Sequence, residues 1–140
     1  MERTSLAVVV VSYRTPQYLR QCLTATYASL ALSPELAAAV WVIDNASGDG
    51  SAELVAAEYL QAHLLTSATN LGFSGGNNAV LRTLGFGGET GSPPELVLLL
   101  NSDAEPLGDA IGLMAGFLRG HPRAGAAGAR LQYGDGAFQH

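Results

Sequence analysis

Two unbroken apolar runs constrain the fold of this chain more than any other feature: Leu6-Ala-Val-Val-Val-Val11 and Leu96-Val-Leu-Leu-Leu100. Neither alternates apolar with polar residues, so each predicts a strand covered on both faces. Both are far too short to span a bilayer, which takes about 20 apolar residues in a helix. A strand covered on both faces needs helices above and below it, and the intervening segments carry a helical period. Pro16 suits a first helical turn, after which Leu19, Cys22, Leu23, Thr26 and Leu30 share one stripe. Shorter strands are predicted at Val40–Ile43 and His63–Thr66. Further helices carry Leu54, Val55 and Tyr59, then Val80, Leu81 and Leu84, then Ile111, Met114 and Leu118 within 107–118. Asp49 or Ser51 is placed to cap the second of these helices, residues 85–94 read as a surface loop, and a last strand is expected near Ala124–Ala129.

Strands alternating with helices imply an α/β fold whose sheet is mostly parallel, with right-handed crossovers. Ligands of such sheets bind beyond the carboxyl ends of the strands. The polar clusters of this chain fall there: Ser12-Tyr13-Arg14, Asp44-Asn45, Asn70 to Asn78, and Asn101-Ser102-Asp103. With 140 residues, 48% of them hydrophobic, the expectation is one domain over residues 1–140 with a real core.

Charge narrows the chemistry. The net charge is −5 and every basic residue is Arg. A basic face for nucleic acid is therefore not expected, and a phosphate loop that needs Lys is excluded. Cys22 stands alone, so neither an internal disulfide nor a thiolate zinc cluster can form. The first apolar run lacks a signal peptide's basic start and cleavage site, and no transmembrane segment is predicted. His63, His121 and His140 show no metal-ligand spacing to one another.

Each cluster has two readings. Asp103, close after an apolar strand, can hold a hard divalent ion with Asn101 or Glu105, or Asn101-Ser102-Asp103 can cap the next helix. Asp44 can accept hydrogen bonds from a nucleobase or ribose, or form an Asx-turn. Asn45, Ser47, Asp49 and Gly50 imitate the start of an EF-hand, but Ala56 occupies the bidentate Glu position. The Asn/Gly segment 70–78 can ring a sugar or phosphate and present a helix N-terminus near Ser74, or be a flexible loop with a capped helix. It is no dinucleotide fingerprint, because Ser-Tyr-Arg-Thr-Pro and not glycines follow the first strand. Tyr13 and Phe73 are candidates to flank the crevice, whereas Trp41 reads as core.

In order, the segments Val-Ser-Tyr13, Val-Ile-Asp-Asn-Ala-Ser-Gly-Asp-Gly-Ser51, Asn-Leu-Gly-Phe-Ser-Gly-Gly-Asn-Asn78 and Leu-Leu-Leu-Asn-Ser-Asp103 closely resemble family 2 glycosyltransferases. The nearest flavour is the bacterial rhamnosyltransferase-like group, whose Asp-Gly-x-x-Gln segment Asp135-Gly-Ala-Phe-Gln139 also resembles. The resemblance implies a GT-A, Rossmann-like nucleotide-diphospho-sugar transferase fold. It implies inverting transfer of a sugar from a dTDP- or UDP-linked donor to a hydroxyl of a glycan or lipid-linked acceptor, in cell-wall or surface polysaccharide synthesis. Carried over by position, Ser12, Tyr13, Asp44, Asn45, Asn70, Gly72, Asn78 and Asn101 belong to the donor site, with Asp44 on the base. Asp103 is the implied metal ligand, for Mg²⁺ or Mn²⁺. The sequence departs from the family pattern at Arg14, where Asn is common, at Ser102, where Pro is common, and at Ala79-Val80 after the loop Asn.

Family members continue well past this length, with the acceptor site and catalytic base in the further part. Glu105, Asp109 and Asp135 are the acids that follow the metal motif, and none stands in a matching base position. The expectation is therefore an apparently truncated GT-A chain, its N-terminal donor-binding portion, without a catalytic base of its own. The alternative to a transferase is a nucleotide-diphosphate-binding fragment without turnover. A third reading, an inactive remnant with an exposed apolar edge, predicts aggregation. Localisation is expected to be cytoplasmic, peripheral at the inner face of the membrane.

Overall fold

The computed structural model describes residues 3–88 and 91–139. Glu89 and Thr90 of the expected surface loop, and His140, lie outside the described residues. In chain order the elements are β1 (Thr4–Ser12), α1 (Pro16–Ala31), β2 (Leu36–Asp44), α2 (Ser51–Glu58), β3 (His63–Thr66), α3 (Gly72–Thr83), β4 (Leu96–Asn101) and α4 (Ala110–Gly120). The strands form one four-stranded sheet in the order β3-β2-β1-β4, every pair parallel.

The period of the strands decides what each face meets. Val8 and Val10 point into a core with Leu19, Cys22 and Leu23 of α1, Val55 of α2, and Ile111 and Ala115 of α4. Val9 points the other way and packs with Ile43 and with Val80 of α3. Both faces of β1 are therefore closed, as its unbroken apolar run requires, and Val8, Val9 and Val10 are fully buried. Trp41 packs against the α3-side cluster and stacks on His63 with ring centroids 4.3 Å apart, a core position as expected.

Register sets the site. Ser12 lies opposite Asp44, Val11 opposite Asn101, and Asp44 opposite Thr66, so the strands end together at one edge. From β1 the chain steps outward to β2 and β3, then returns to place β4 on the other side of β1. The strand order thus reverses between β1 and β4, and a crevice opens at such a switch point.

Several boundaries differ from expectation. β2 starts at Leu36, ahead of Val40, because the backbone ladder beside Thr4–Val8 carries the alanines 37–39 with it. The strand expected at Ala124–Ala129 does not form, and the sole pairing beyond α4 among the described residues is the isolated bridge Gln132–Phe138. That segment reads Ala-Gly-Ala-Ala-Gly-Ala, without the branched side chains that favour strands. β4 is consequently an edge strand. Leu99 shares the face of Val9 but is 48% exposed, since α3 lies over β1 and β2. Among the described residues, no helix is long and apolar enough to cross a membrane.

Candidate functional site

Asp44 ends β2 as a buried carboxylate. Its Oδ2 accepts the Ser47 N–H at 3.2 Å, three residues on, where an Asx-turn would reach two. Its Oδ1 is buried and has no partner. One oxygen is thus taken by the loop and the other is buried without a hydrogen bond, which is uncommon for a carboxylate. Across the ladder, Ser12 Oγ is likewise buried and unpartnered. Two adjacent strands thus each bring an unsatisfied polar atom to the same edge.

The loop after β2 turns through Ala46, Gly48 and Gly50, all at positive φ. The N-cap of α2 is Gly50, not Asp49 or Ser51 as expected, because only a left-handed residue fits the turn there. Asp49, one position earlier, accepts both the backbone N–H (3.0 Å) and the hydroxyl (2.6 Å) of Ser51 on its Oδ1. Asn45 turns inward. Its Nδ2 donates to the Gly72 carbonyl at 3.0 Å and its Oδ1 accepts the Leu71 N–H at 3.2 Å. This amide is engaged at both ends in holding the β3–α3 loop at Leu71 and Gly72.

Two hydrogen bonds draw the loop after β1 against its neighbours. The Arg14 N–H donates to Ser47 Oγ at 3.0 Å, and Thr15 Oγ1 and Ser102 Oγ share a bond at 3.1 Å. The first ties β1's exit to β2's, the second to β4's. Tyr13 stands at the rim, 39% exposed. Neither Ser47 nor the Thr15–Ser102 pair was distinguishable in the sequence, because nothing local marks a hydroxyl that bonds to another loop.

At the end of β4, the Asn101 carbonyl accepts the Ala104 N–H at 3.0 Å and the Cys22 S–H at 3.5 Å. Burial pushes the Cys22 thiol up to about 12, and the charges of Asp103 and Glu105 push it the same way. The acidic tip of β4 thus lies over α1. Asp103 and Glu105 are exposed, and no helix follows them directly. α4 starts only at Ala110, after a turn through Gly108 at φ 51°, so the helix-cap reading of Asn101–Asp103 is overturned.

Among the described residues, no three His, Cys, Asp or Glu side chains converge on a metal position. An all-protein cage is not what a magnesium-type ion needs. Such ions keep several waters and bind through one or two carboxylates together with substrate phosphates. An accessible Asp103 carboxylate fits an ion shared with a diphosphate and does not fit zinc, since the nearby Cys22 thiol is buried and its S–H is bonded to the Asn101 carbonyl.

In the Asn/Gly segment, Asn70 Oδ1 accepts the Gly72 N–H at 2.9 Å and both residues are exposed. α3 begins at Gly72 (φ 72°), two residues earlier than Ser74, because Asn45 grips its first turn. Asn78 is exposed. Its neighbour Asn77 is buried, with Nδ2 donating to the Phe73 carbonyl and Oδ1 unpartnered, a difference that two adjacent identical residues could not reveal. Of the remaining acids, Asp109 accepts a short hydrogen bond from Ser33 Oγ and Asp135 accepts the Ala137 N–H. The apolar groove between β4 and α4, lined by Leu96, Leu98, Ile111, Met114 and Leu118, offers no polar side chain.

The family model described as Glycosyl transferase family 2 matches residues 7–139. The chain belongs to that family. It is 31% identical over 135 residues to N-acetylglucosaminyl-diphospho-decaprenol L-rhamnosyltransferase of Mycobacterium tuberculosis, in both the CDC 1551 / Oshkosh and the ATCC 25618 / H37Rv strains. The match takes in 94% of this chain but spans only 43% of the length of those relatives. Among solved structures it is similar to S. aureus TarS 1-349 (TM-score 0.64, 23% identity, 85% of this chain and 33% of that one) and to S. aureus TarS (TM-score 0.63, 23% identity, 85% and 20%). At that identity the structures speak for the fold, which is the GT-A type.

Proposed function

We propose that this family 2 chain holds a nucleoside-diphosphate sugar, dTDP- or UDP-linked, in the crevice at the carboxyl ends of β2, β1 and β4. The reading extends to inverting transfer of the sugar to a hydroxyl of a glycan or lipid-linked acceptor, in cell-wall or surface polysaccharide synthesis at the inner face of the membrane. One observation carries it: buried, unpartnered Asp44 Oδ1 and Ser12 Oγ sit on adjacent strands at the switch point, with Asp103 at the end of the strand beyond.

In this reading Asp44 accepts an N–H of the base, Tyr13 flanks the ring, and Asn45 holds Asn70, Gly72 and the start of α3, with Asn78, toward the sugar. Asn101 shapes the turn that presents Asp103, the residue that would hold Mg²⁺ or Mn²⁺. A bound ion would neutralise the nucleoside diphosphate as it leaves.

Donor binding without turnover is the second reading. Inversion needs a base beside the acceptor hydroxyl, whereas Asp109 is bonded to Ser33 and Asp135 to a turn in the C-terminal tail. The test is calorimetric titration with UDP and dTDP, with and without Mn²⁺, beside Asp103→Ala. Metal-enhanced binding that the variant loses supports the donor site, and no binding by the folded chain refutes it. A transfer assay with labelled donor then separates the two readings.

A further inference from the structure

We propose that Arg14 grips the diphosphate of the donor and is the side-chain cation of this site; the proposal rests on the nucleotide-sugar reading above. A diphosphate carries several negative charges, and the crevice is built from acids. Asp44 ends β2, and Asp49, Asp103, Glu105 and Asp109 lie on the loops that leave the strands' carboxyl ends. Those loops are residues 13–15, 45–50, 67–71 and 102–109, and Arg14 is the one basic residue in them. The chain has seven basic residues, all Arg. Arg20 is paired with Glu58, while Arg82 and Arg119 lie in the last turns of α3 and α4, at the sheet's opposite edge. Arg3 precedes β1 and bonds to the Leu36 carbonyl, and Arg123 and Arg130 follow α4, the latter over the Phe138 ring.

The posture of Arg14 fits the task. Its φ is 54°, a region that glycine or asparagine enters far more readily than arginine. The backbone is pinned there by the Ser47 hydroxyl on one side and the Thr15–Ser102 bond on the other, beside the reversal of strand order. Strain of this kind gathers where a side chain must be aimed. The guanidinium lies over the Tyr13 ring, 5.1 Å from its centroid, and pairs with no acid among the described residues. Stacking on a ring leaves the guanidinium's in-plane N–H groups free, and they match phosphate oxygens two at a time. A merely solvated arginine would need neither the strained backbone nor the aromatic support.

The test compares unaltered chain, Arg14→Gln, Arg14→Lys and Arg14→Gly by calorimetry, using UDP and dTDP against uridine and thymidine. Arg14→Gln and Arg14→Gly are expected to weaken the diphosphates by about tenfold or more and leave the nucleosides unchanged. Arg14→Lys should keep part of the loss from appearing, and the salt dependence of UDP binding should flatten when the charge is gone. Because Arg14→Gly also relieves the backbone, equal behaviour of the Gln and Gly variants assigns the loss to the side chain. Unchanged UDP affinity in Arg14→Gln, or an equal loss for uridine, overturns the proposal. If the unaltered chain binds no diphosphate nucleotide, the donor-site reading itself falls and this proposal falls with it.

Discussion

Asn45 and Gly72 are joined by a side-chain hydrogen bond of 3.0 Å that links the end of β2 to the first turn of α3. With the reciprocal bond from Leu71 N–H, it fixes the loop that the donor-site reading places against the sugar. Asn45→Ala removes both bonds at once and leaves a cavity where the buried amide stood, with the part-buried Gly72 carbonyl and Leu71 N–H losing their partner. Thermal and urea unfolding are expected to show a loss of about 1–3 kcal/mol. Donor affinity should fall as well, even though Asn45 itself touches no ligand in this account. A variant that loses stability while binding UDP unchanged would separate the loop from the site.

Gly76 is the close-approach point of α3. A Cβ there would lie 2.8 Å from Val11 Cγ1 and 3.1 Å from Cγ2. Alanine in a helix interior gains about 1 kcal/mol over glycine, but overpacking against a stiff valine costs about 1–3 kcal/mol. The clash should win, and Gly76→Ala should melt lower. Gly116, in α4, has open space at its Cβ, so Gly116→Ala should melt higher. Calorimetric melts of the pair provide the comparison.

Cys22 gives the pH dependence. Its thiol, raised by burial from 9.0 to about 12, stays protonated in the fold and ionises in the unfolded chain. The folded-state value lies above the unfolded one, so this contribution is whole below about pH 9 and is lost as pH rises toward 12. Tyr27, raised by burial from 10.0 to about 12, acts in the same direction. Unfolding free energy should decline above pH 9, less steeply in Cys22→Ala. In the native chain at pH 8 the thiol should resist an aromatic disulfide reagent and react on unfolding.

Asp44→Asn addresses the base contact. The asparagine can keep its oxygen on the Ser47 N–H, and then presents an NH₂ where Asp44 Oδ1 now stands. Uracil and thymine offer an N–H donor, so two donors would meet. Affinity for UDP and for uridine should fall by the same factor, the opposite of the pattern expected from Arg14→Gln. Calorimetry with both ligands makes the distinction.

Much of this was legible because burial on both faces leaves so plain a mark. Leu6–Val11 and Leu96–Leu100 announced central strands, and Asp44 and Asp103 could be placed at one edge before any coordinates. What escaped was decided by partners distant in sequence. The extent of β2 came from β1's ladder and not from its own alanines. The apolar composition of 124–129 promised a strand, but small residues with nothing to pair against did not form one. The cap expected at Asn101–Asp103 failed because α4 begins only at Ala110, a separation that the sequence did not mark. The bond from the Asn45 amide to a loop 27 residues away left no mark in the local sequence.

In the proposed reading a nucleoside diphosphate and a divalent ion share the crevice at the ends of β1, β2 and β4. Backbone amide NMR of the labelled chain, titrated with UDP and Mg²⁺ and then with traces of Mn²⁺, tests it most directly. Shifts are expected at Ser12–Arg14 and Asp44–Ser47, with Mn²⁺ broadening centred on Asn101–Glu105. Broadening centred on the groove between β4 and α4, or no perturbation at saturating nucleotide and ion, would contradict it.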